Sequence, residues 1–243
     1  MSEYRLLPAG DTALVVEFGD RIDRQLSLQV LALAQRLNET TLDGIVECVP
    51  TFRSLMVHYD PLVLPASVLK ARIATLMRGL RTPEAPGRLW RLPACYDESL
   101  AADLDDVAAR TSRTPAQIIE RHSAPAYHVY MLGFLPGQAY MGDVAEELML
   151  PRRETPRMKI PAGSLAMAMA MTCIFPQETP CGWHLIGRSP VRLWDAAGGA
   201  LLRPGDKVTF APVSLREYER LVAQVAAGEF TLVPGDETVE AAA

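Results

Sequence analysis

The sequence has only four cysteines in 243 residues, Cys48, Cys95, Cys173 and Cys181, with no CxxC spacing and no paired histidines beside them. That leaves no zinc-site pattern and no disulfide framework, and the four read as reduced thiols. No apolar run approaches the roughly 20 residues that span a bilayer as a helix. Lys and Arg number 24 against 29 Asp and Glu, a net charge of −5, and no long basic run is present. Nucleic-acid phosphates need a positive face, so such a partner is not expected. The opening residues, MSEYRLLPAG, lack a basic segment followed by an apolar one, the pattern of a secretory signal. The expectation is a cytoplasmic protein with neither membrane nor nucleic-acid partners. There is no GxSxG elbow, no Walker-type loop and no Rossmann glycine loop. No pair of carboxylates stands out as an acid/base dyad, so no catalytic residue and no metal site is assigned.

What the sequence does hold is periodicity. Thr12 to Phe18 alternates, with Leu14, Val16 and Phe18 on one face of a strand. Ile22 to Asn38 switches to helical period through Leu26, Val30, Leu33 and Leu37. Gly44 to Val49 and Arg53 to Tyr59 read as a hairpin across Pro50 and Thr51. A helix begins near Pro65, with Leu69, Ile73, Leu76 and Leu80 as its stripe. Arg88 to Leu92 can supply a last strand, which gives the order β-α-β-β-α-β. That is the ferredoxin-like arrangement, a two-layer α+β domain over residues 1–85. His58, in the hairpin, has no second ligand at useful spacing and reads as an ordinary strand histidine.

Arg81 to Gly87, RTPEAPG, reads as a linker to a second domain over residues 88–243. RLWRLPACYD then reads as a strand. A helix starts near Leu104, with Asp103, Asp105 and Asp106 at its dipole's positive end. Thr114 and Pro115 are the N-cap and first residue of another. Strands are expected at Ala126 to Leu132, Leu165 to Met171, Trp183 to Arg188 and Lys207 to Ala211, with a closing helix from Leu215 to Ala227 stopped by Gly228. Short strands divided by turns suggest a closed or partly closed β-barrel.

Gly133 to Arg188 is the part of the chain densest in Gly and Pro, and it carries Arg152, Arg153, Arg157 and Arg188. Arg157 and Arg188 sit between stiff neighbours, and a fixed guanidinium loses little entropy on clasping a carboxylate. Tyr140, Ser164 and His122 could add donors, and His122 could move a proton near neutral pH. Cys181 and His184 lie three apart, but a strand sends residues at that offset to opposite faces, against a nucleophile pair.

At these residues the chain resembles the family of the 5-oxoprolinase B subunit, which also takes in allophanate hydrolase subunit 1, the carboxyltransferase region of urea carboxylase and a sensor histidine kinase inhibitor. The resemblance rests on PAGDTALVVEFG, VPTFRSLMVHYDP, HSAPAYHVYMLGFLPG, PRRETPRMKIPAGS and GWHLIGRSP, in that order. It implies a ferredoxin-like first domain and a cyclophilin-like β-barrel second domain. It also implies a homologous carboxyltransferase-like subunit and a third 5-oxoprolinase subunit as partners. Their assembly opens the lactam of 5-oxoproline to L-glutamate with ATP, so no cofactor is expected on this chain itself. A small carboxylate substrate suits Arg157 and Arg188.

The sequence departs from the family pattern at several places. Met169 and Cys173 stand for glycines, Met171 for a glutamine, Cys181 for a glycine, and Gln138-Ala139 for Phe-Pro. The alternatives to the 5-oxoprolinase reading are an allophanate hydrolase or urea carboxylase component, and a binding protein that inhibits a histidine kinase. The loss of pocket glycines and of the glutamine, together with the absence of a catalytic dyad, motivates the last.

Overall fold

The computed structural model describes residues 4–40, 42–81 and 87–235. The chain splits into two compact units, Met1–Pro86 and Gly87–Ala243. Of the expected linker, residues 82–86 lie outside the described residues.

The first unit contains β1 (Arg5–Pro8), β2 (Ala13–Glu17), α1 (Arg24–Glu39), β3 (Ile45–Pro50), β4 (Ser54–Tyr59) and α2 (Ala66–Met77). Its antiparallel sheet has the order β1-β2-β4-β3. Asp23 caps α1 by accepting from the Gln25 and Leu26 N–H groups. Leu14, Val16, Leu55 and Val57 from the sheet share one core with Val30, Leu33 and Leu37 of α1 and Leu69 and Ile73 of α2. The expected hairpin is present, closed by Thr51 N–H donating to the Ser54 carbonyl at 2.8 Å. The expected β-α-β-β-α-β order is not. Arg5–Pro8 adds a strand at the start, and the stretch around Arg88 to Leu92 pairs elsewhere.

That stretch is β5 (Leu89–Ala94) of the second unit, where it lies parallel to β15 (Lys207–Pro212). Between them come α3 (Leu104–Arg110), α4 (Pro115–Ser123), β6 (Tyr127–Leu132), β7 (Ala139–Gly142), β8 (Arg157–Ile160), β9 (Ser164–Ala168), β10 (Met171–Ile174), β11 (Thr179–Cys181), β12 (His184–Arg188), β13 (Trp194–Asp195) and β14 (Gly199–Ala200), with α5 (Leu215–Ala227) last. The main sheet has seven strands in the order β12-β9-β10-β7-β6-β15-β5. Its two edges meet: Cys95 and Arg188 exchange both backbone hydrogen bonds at 2.8 Å, so the sheet nearly closes into a barrel. Gly187 permits that closure, since a Cβ there would lie 2.5 Å from the Cys95 carbonyl oxygen. Inward residues such as Leu92, Val129, Met141, Leu165, Met167 and Ile186 fill the interior.

Thr114 and Gln117 form a full capping box with Pro115 in the first turn, and Gly228 ends α5 in the left-handed region at φ 74. The expected single strand from Leu165 to Met171 is instead a hairpin, β9 and β10, turning at Met169 and Ala170. Met169 takes φ 53, a value that glycine would signal in sequence and methionine does not. No helix among the described residues is long and apolar enough to cross a membrane.

Candidate active site

The helix-start aspartate Asp103 turns out to face inward. It is 3% exposed and makes no capping bond with its side chain. Its carboxylate accepts two hydrogen bonds from the Arg157 fork at 2.7 Å, one from Arg153 at 2.6 Å and one from Leu185 N–H at 2.7 Å. Burial by itself would raise this carboxyl. The Arg157 hydrogen bonds, the Leu185 N–H and the two cationic charges outweigh it and hold the group below its ordinary value. Asp103 thus ties α3 to β8, β12 and the arginine-rich loop before β8. Arg157, singled out from sequence as a carboxylate clasp, has its bidentate face on Asp103.

The other sequence candidates are spread through the barrel. Arg188 ends β12, where its backbone closes the sheet and its Nε donates to the Ala162 carbonyl at 2.9 Å. Ser164 is 3% exposed and donates to the Pro161 carbonyl at 2.7 Å. His122 is fully buried between Tyr96 and Thr172, each at 2.9 Å from a ring nitrogen. The Thr172 hydroxyl spends its one hydrogen on the Ala166 carbonyl, so it must accept from His122 Nε2–H. Nδ1 then accepts from the Tyr96 hydroxyl, which fixes a neutral tautomer. Burial lowers the His122 pKa to about 3. Both His122 nitrogens are thus committed, and burial disfavours its cation.

Of the five, Tyr140 lines a cavity that the other four do not. This cavity, of about 140 Å³, lies between the Gly133–Gly137 loop, β7, β11 and the turn into β12. Tyr140 meets Trp183 edge-on at 5.9 Å between ring centres, and Trp183 meets Phe175 edge-on at 6.3 Å. Phe134, 65% exposed and held at φ 70, stands at the rim. Such strain in a bulky residue is a feature of ligand clamps. Arg152 supplies the one formal charge of the lining, which contains no Asp or Glu. No hydrogen bond or ion pair holds Arg152 among the described residues. Its charge acts on Tyr140 and Cys181, but burial still leaves both groups raised above their ordinary values.

Two of the sequence departures sit here. Cys181 and Gln138 line the cavity, and Cys173 lies behind Gln138, its Sγ 3.9 Å from the Gln138 Nε2. Met171 is buried in β10, and Met169 lies at the exposed hairpin turn. Cys181 and His184 do not pair: Cys181 accepts from Trp183 N–H at 3.2 Å, and His184 Nε2 bonds the Pro151 carbonyl at 2.9 Å. No cluster of three metal-ligating side chains occurs among the described residues. Arg152 and Gln138 line the cavity without having been among the sequence candidates. Arg152 is one of three arginines in a short loop, and sequence does not say which of them meets a buried carboxylate.

Comparison with known proteins agrees with this architecture. Residues 4–200 match the family model for the carboxyltransferase domain, subdomain C and D. The chain is 34% identical over 231 residues to the 5-oxoprolinase B subunit of Bacillus subtilis, covering 88% of this chain and 95% of that protein. It is 37% identical over 207 residues to the protein of the same name from Haemophilus influenzae, covering 84% and 96%. The crystal structure of TTHA0988 superposes with a TM-score of 0.74 at 34% identity over 82% of this chain, which spans only 39% of that longer one. The Kluyveromyces lactis urea amidolyase shares the fold alone, at 18% identity and a TM-score of 0.79 over 95% of this chain and 16% of its own. The chain belongs to the carboxyltransferase-domain family of subdomains C and D, within the branch that contains the 5-oxoprolinase B subunits.

Proposed function

We propose that this chain is the B subunit of an ATP-dependent 5-oxoprolinase, and that its cavity receives the small carboxylate substrate. The observation that carries the reading is the cavity itself: aromatic walls and an untied Arg152, with no acid in the lining. A guanidinium without a protein partner is suited to an incoming carboxylate. Lactam opening to L-glutamate then draws on a homologous carboxyltransferase-like subunit and a third subunit. ATP is handled by the assembly, and no cofactor is held by this chain, which works in the cytoplasm and is inactive alone.

In this reading Arg152 and Tyr140 touch the substrate. Arg157 acts through Asp103 by holding the loop that bears Arg152. Arg188, Ser164 and His122 shape the barrel behind it. A cyclophilin-like barrel is supported by the nearly closed sheet of the second unit. A ferredoxin-like first unit is supported by two helices sharing one core with an antiparallel sheet, although its element order differs. The kinase-inhibitor reading drew its motive from lost pocket glycines, and a cavity remains around the substituted residues. The test is reconstitution of the three subunits with 5-oxo-L-proline and ATP. Ring opening that needs this chain is the expected result, and an assembly equally active without it would sink the proposal.

A further inference from the structure

We propose that Gln138 is a specificity residue of the cavity, whose Oε1 accepts an N–H from a cyclic amide while Arg152 holds the same ligand's carboxylate. The inference rests on the small-carboxylate reading above and adds to it a second, independent anchor. Gln138 is 1% exposed and lines the cavity at the turn into β7. Its Nε2 points to the Cys173 Sγ at 3.9 Å, a long contact to a weak acceptor. Its Oε1 is buried with no hydrogen-bond partner among the described residues. Buried amide oxygens are nearly always paired, and one left alone is a standing cost that a ligand donor removes.

Reaching the ligand asks little of the side chain. The terminal torsion of glutamine is broad, so the carboxamide can turn toward the cavity and give up only the contact with sulfur. The Cys173 thiol adds no negative charge near the ligand's anion, since burial pushes it well above its ordinary pKa. The cavity therefore makes two polar demands of opposite kind: an anion at Arg152 and a donor at Gln138. Tyr140, Phe175 and Trp183 stand around a space of about 140 Å³, which suits one small ring rather than a nucleotide. A lactam or ureido ring bearing a carboxylate meets all three conditions. A lactone of the same shape does not, because its ring oxygen has no hydrogen to donate to Gln138.

The test is calorimetric titration of the full-length chain with 5-oxo-L-proline and with the five-membered lactone carboxylate. The lactam should bind at least about 10-fold more tightly, a difference of about 1.4 kcal/mol. Gln138→Leu should bring the two ligands within about 2-fold of each other while leaving lactone affinity unchanged. Should that variant not fold, Gln138→Met gives the same comparison, and the wild-type ratio stands without either. Equal binding of both ligands by the wild type, or preference for the lactone, would overturn the role of Gln138 and leave the carboxylate reading intact. A lactam preference that survives in Gln138→Leu would also overturn it, by moving the discrimination elsewhere. Binding of neither ligand would overturn both.

Discussion

The two units bury very different things. Among the described residues, the first unit's buried polar side chains are Glu17 and Ser27, and its core is otherwise aliphatic and aromatic. The second buries Asp103, His122, His128, Gln138, Ser164, Thr172, His184 and Asp206, among others. Two of these are carboxylates that staple distant strands: Asp103 as above, and Asp206 with the Arg88 fork and the Trp90 indole N–H. A sheet packed under two helices can be satisfied by apolar contact alone. A closed barrel with long, Pro-rich connections must bring irregular backbone and charge inside, where each group needs a named partner. The cavity lies in the unit that already manages buried polarity, and Gln138 Oε1 is one of the few atoms left unmanaged there.

The largest expected break in this comparison comes from Asp103. Asp103→Ala leaves two arginines and the Leu185 N–H without their acceptor, and should cost about 3 kcal/mol or more of stability in the second unit. Amide hydrogen exchange resolved by unit would show the loss in β9, β10 and β12 and not in β2 or β4. A smaller effect is expected from His122. Its pKa falls from 6.5 to about 3 on folding, so its contribution is whole above pH 6.5 and is lost as the pH falls toward 3. Between pH 6.5 and pH 5 the second unit should lose about 2 kcal/mol, at about 1.4 kcal/mol per unit. His122→Gln should flatten that slope. The first unit has no buried histidine among its described residues and should keep its exchange protection over the same range. Equal acid sensitivity of the two units would remove the contrast.

The same contrast explains what sequence made legible. Both helices of the first unit, and α4 and α5 of the second, follow from apolar period and local capping residues such as Thr114, Pro115 and Gly228. Strand pairing over long separations does not. Nothing near Arg88 announces that Leu89–Ala94 will lie beside Lys207–Pro212, so a plausible local pattern drew it into the wrong sheet. The turn at Met169 carries no turn residue, and Ala-Met alternation ran straight through it. At the cavity, that Tyr140 after a Gly/Pro loop would be among the lining residues was readable. The choice among Arg152, Arg153 and Arg157 was not, because it depends on a carboxylate about 50 residues earlier whose side chain looked like a helix-dipole partner. His122 is a related case: burial in the barrel lowers its pKa, and that burial is not local in sequence.

The most direct test of the account is the KM for 5-oxo-L-proline of the reconstituted enzyme with Arg152→Ala, set against Arg188→Ala. Arg152 faces the cavity untied, whereas Arg188 spends its backbone on closing the barrel and its Nε on Ala162. The account predicts that Arg152→Ala raises KM by about 10-fold or more, equivalent to about 1.4 kcal/mol, while Arg188→Ala leaves KM within about 2-fold. An unchanged KM in Arg152→Ala, with the rise appearing in Arg188→Ala, would contradict it and place the carboxylate at the barrel seam instead.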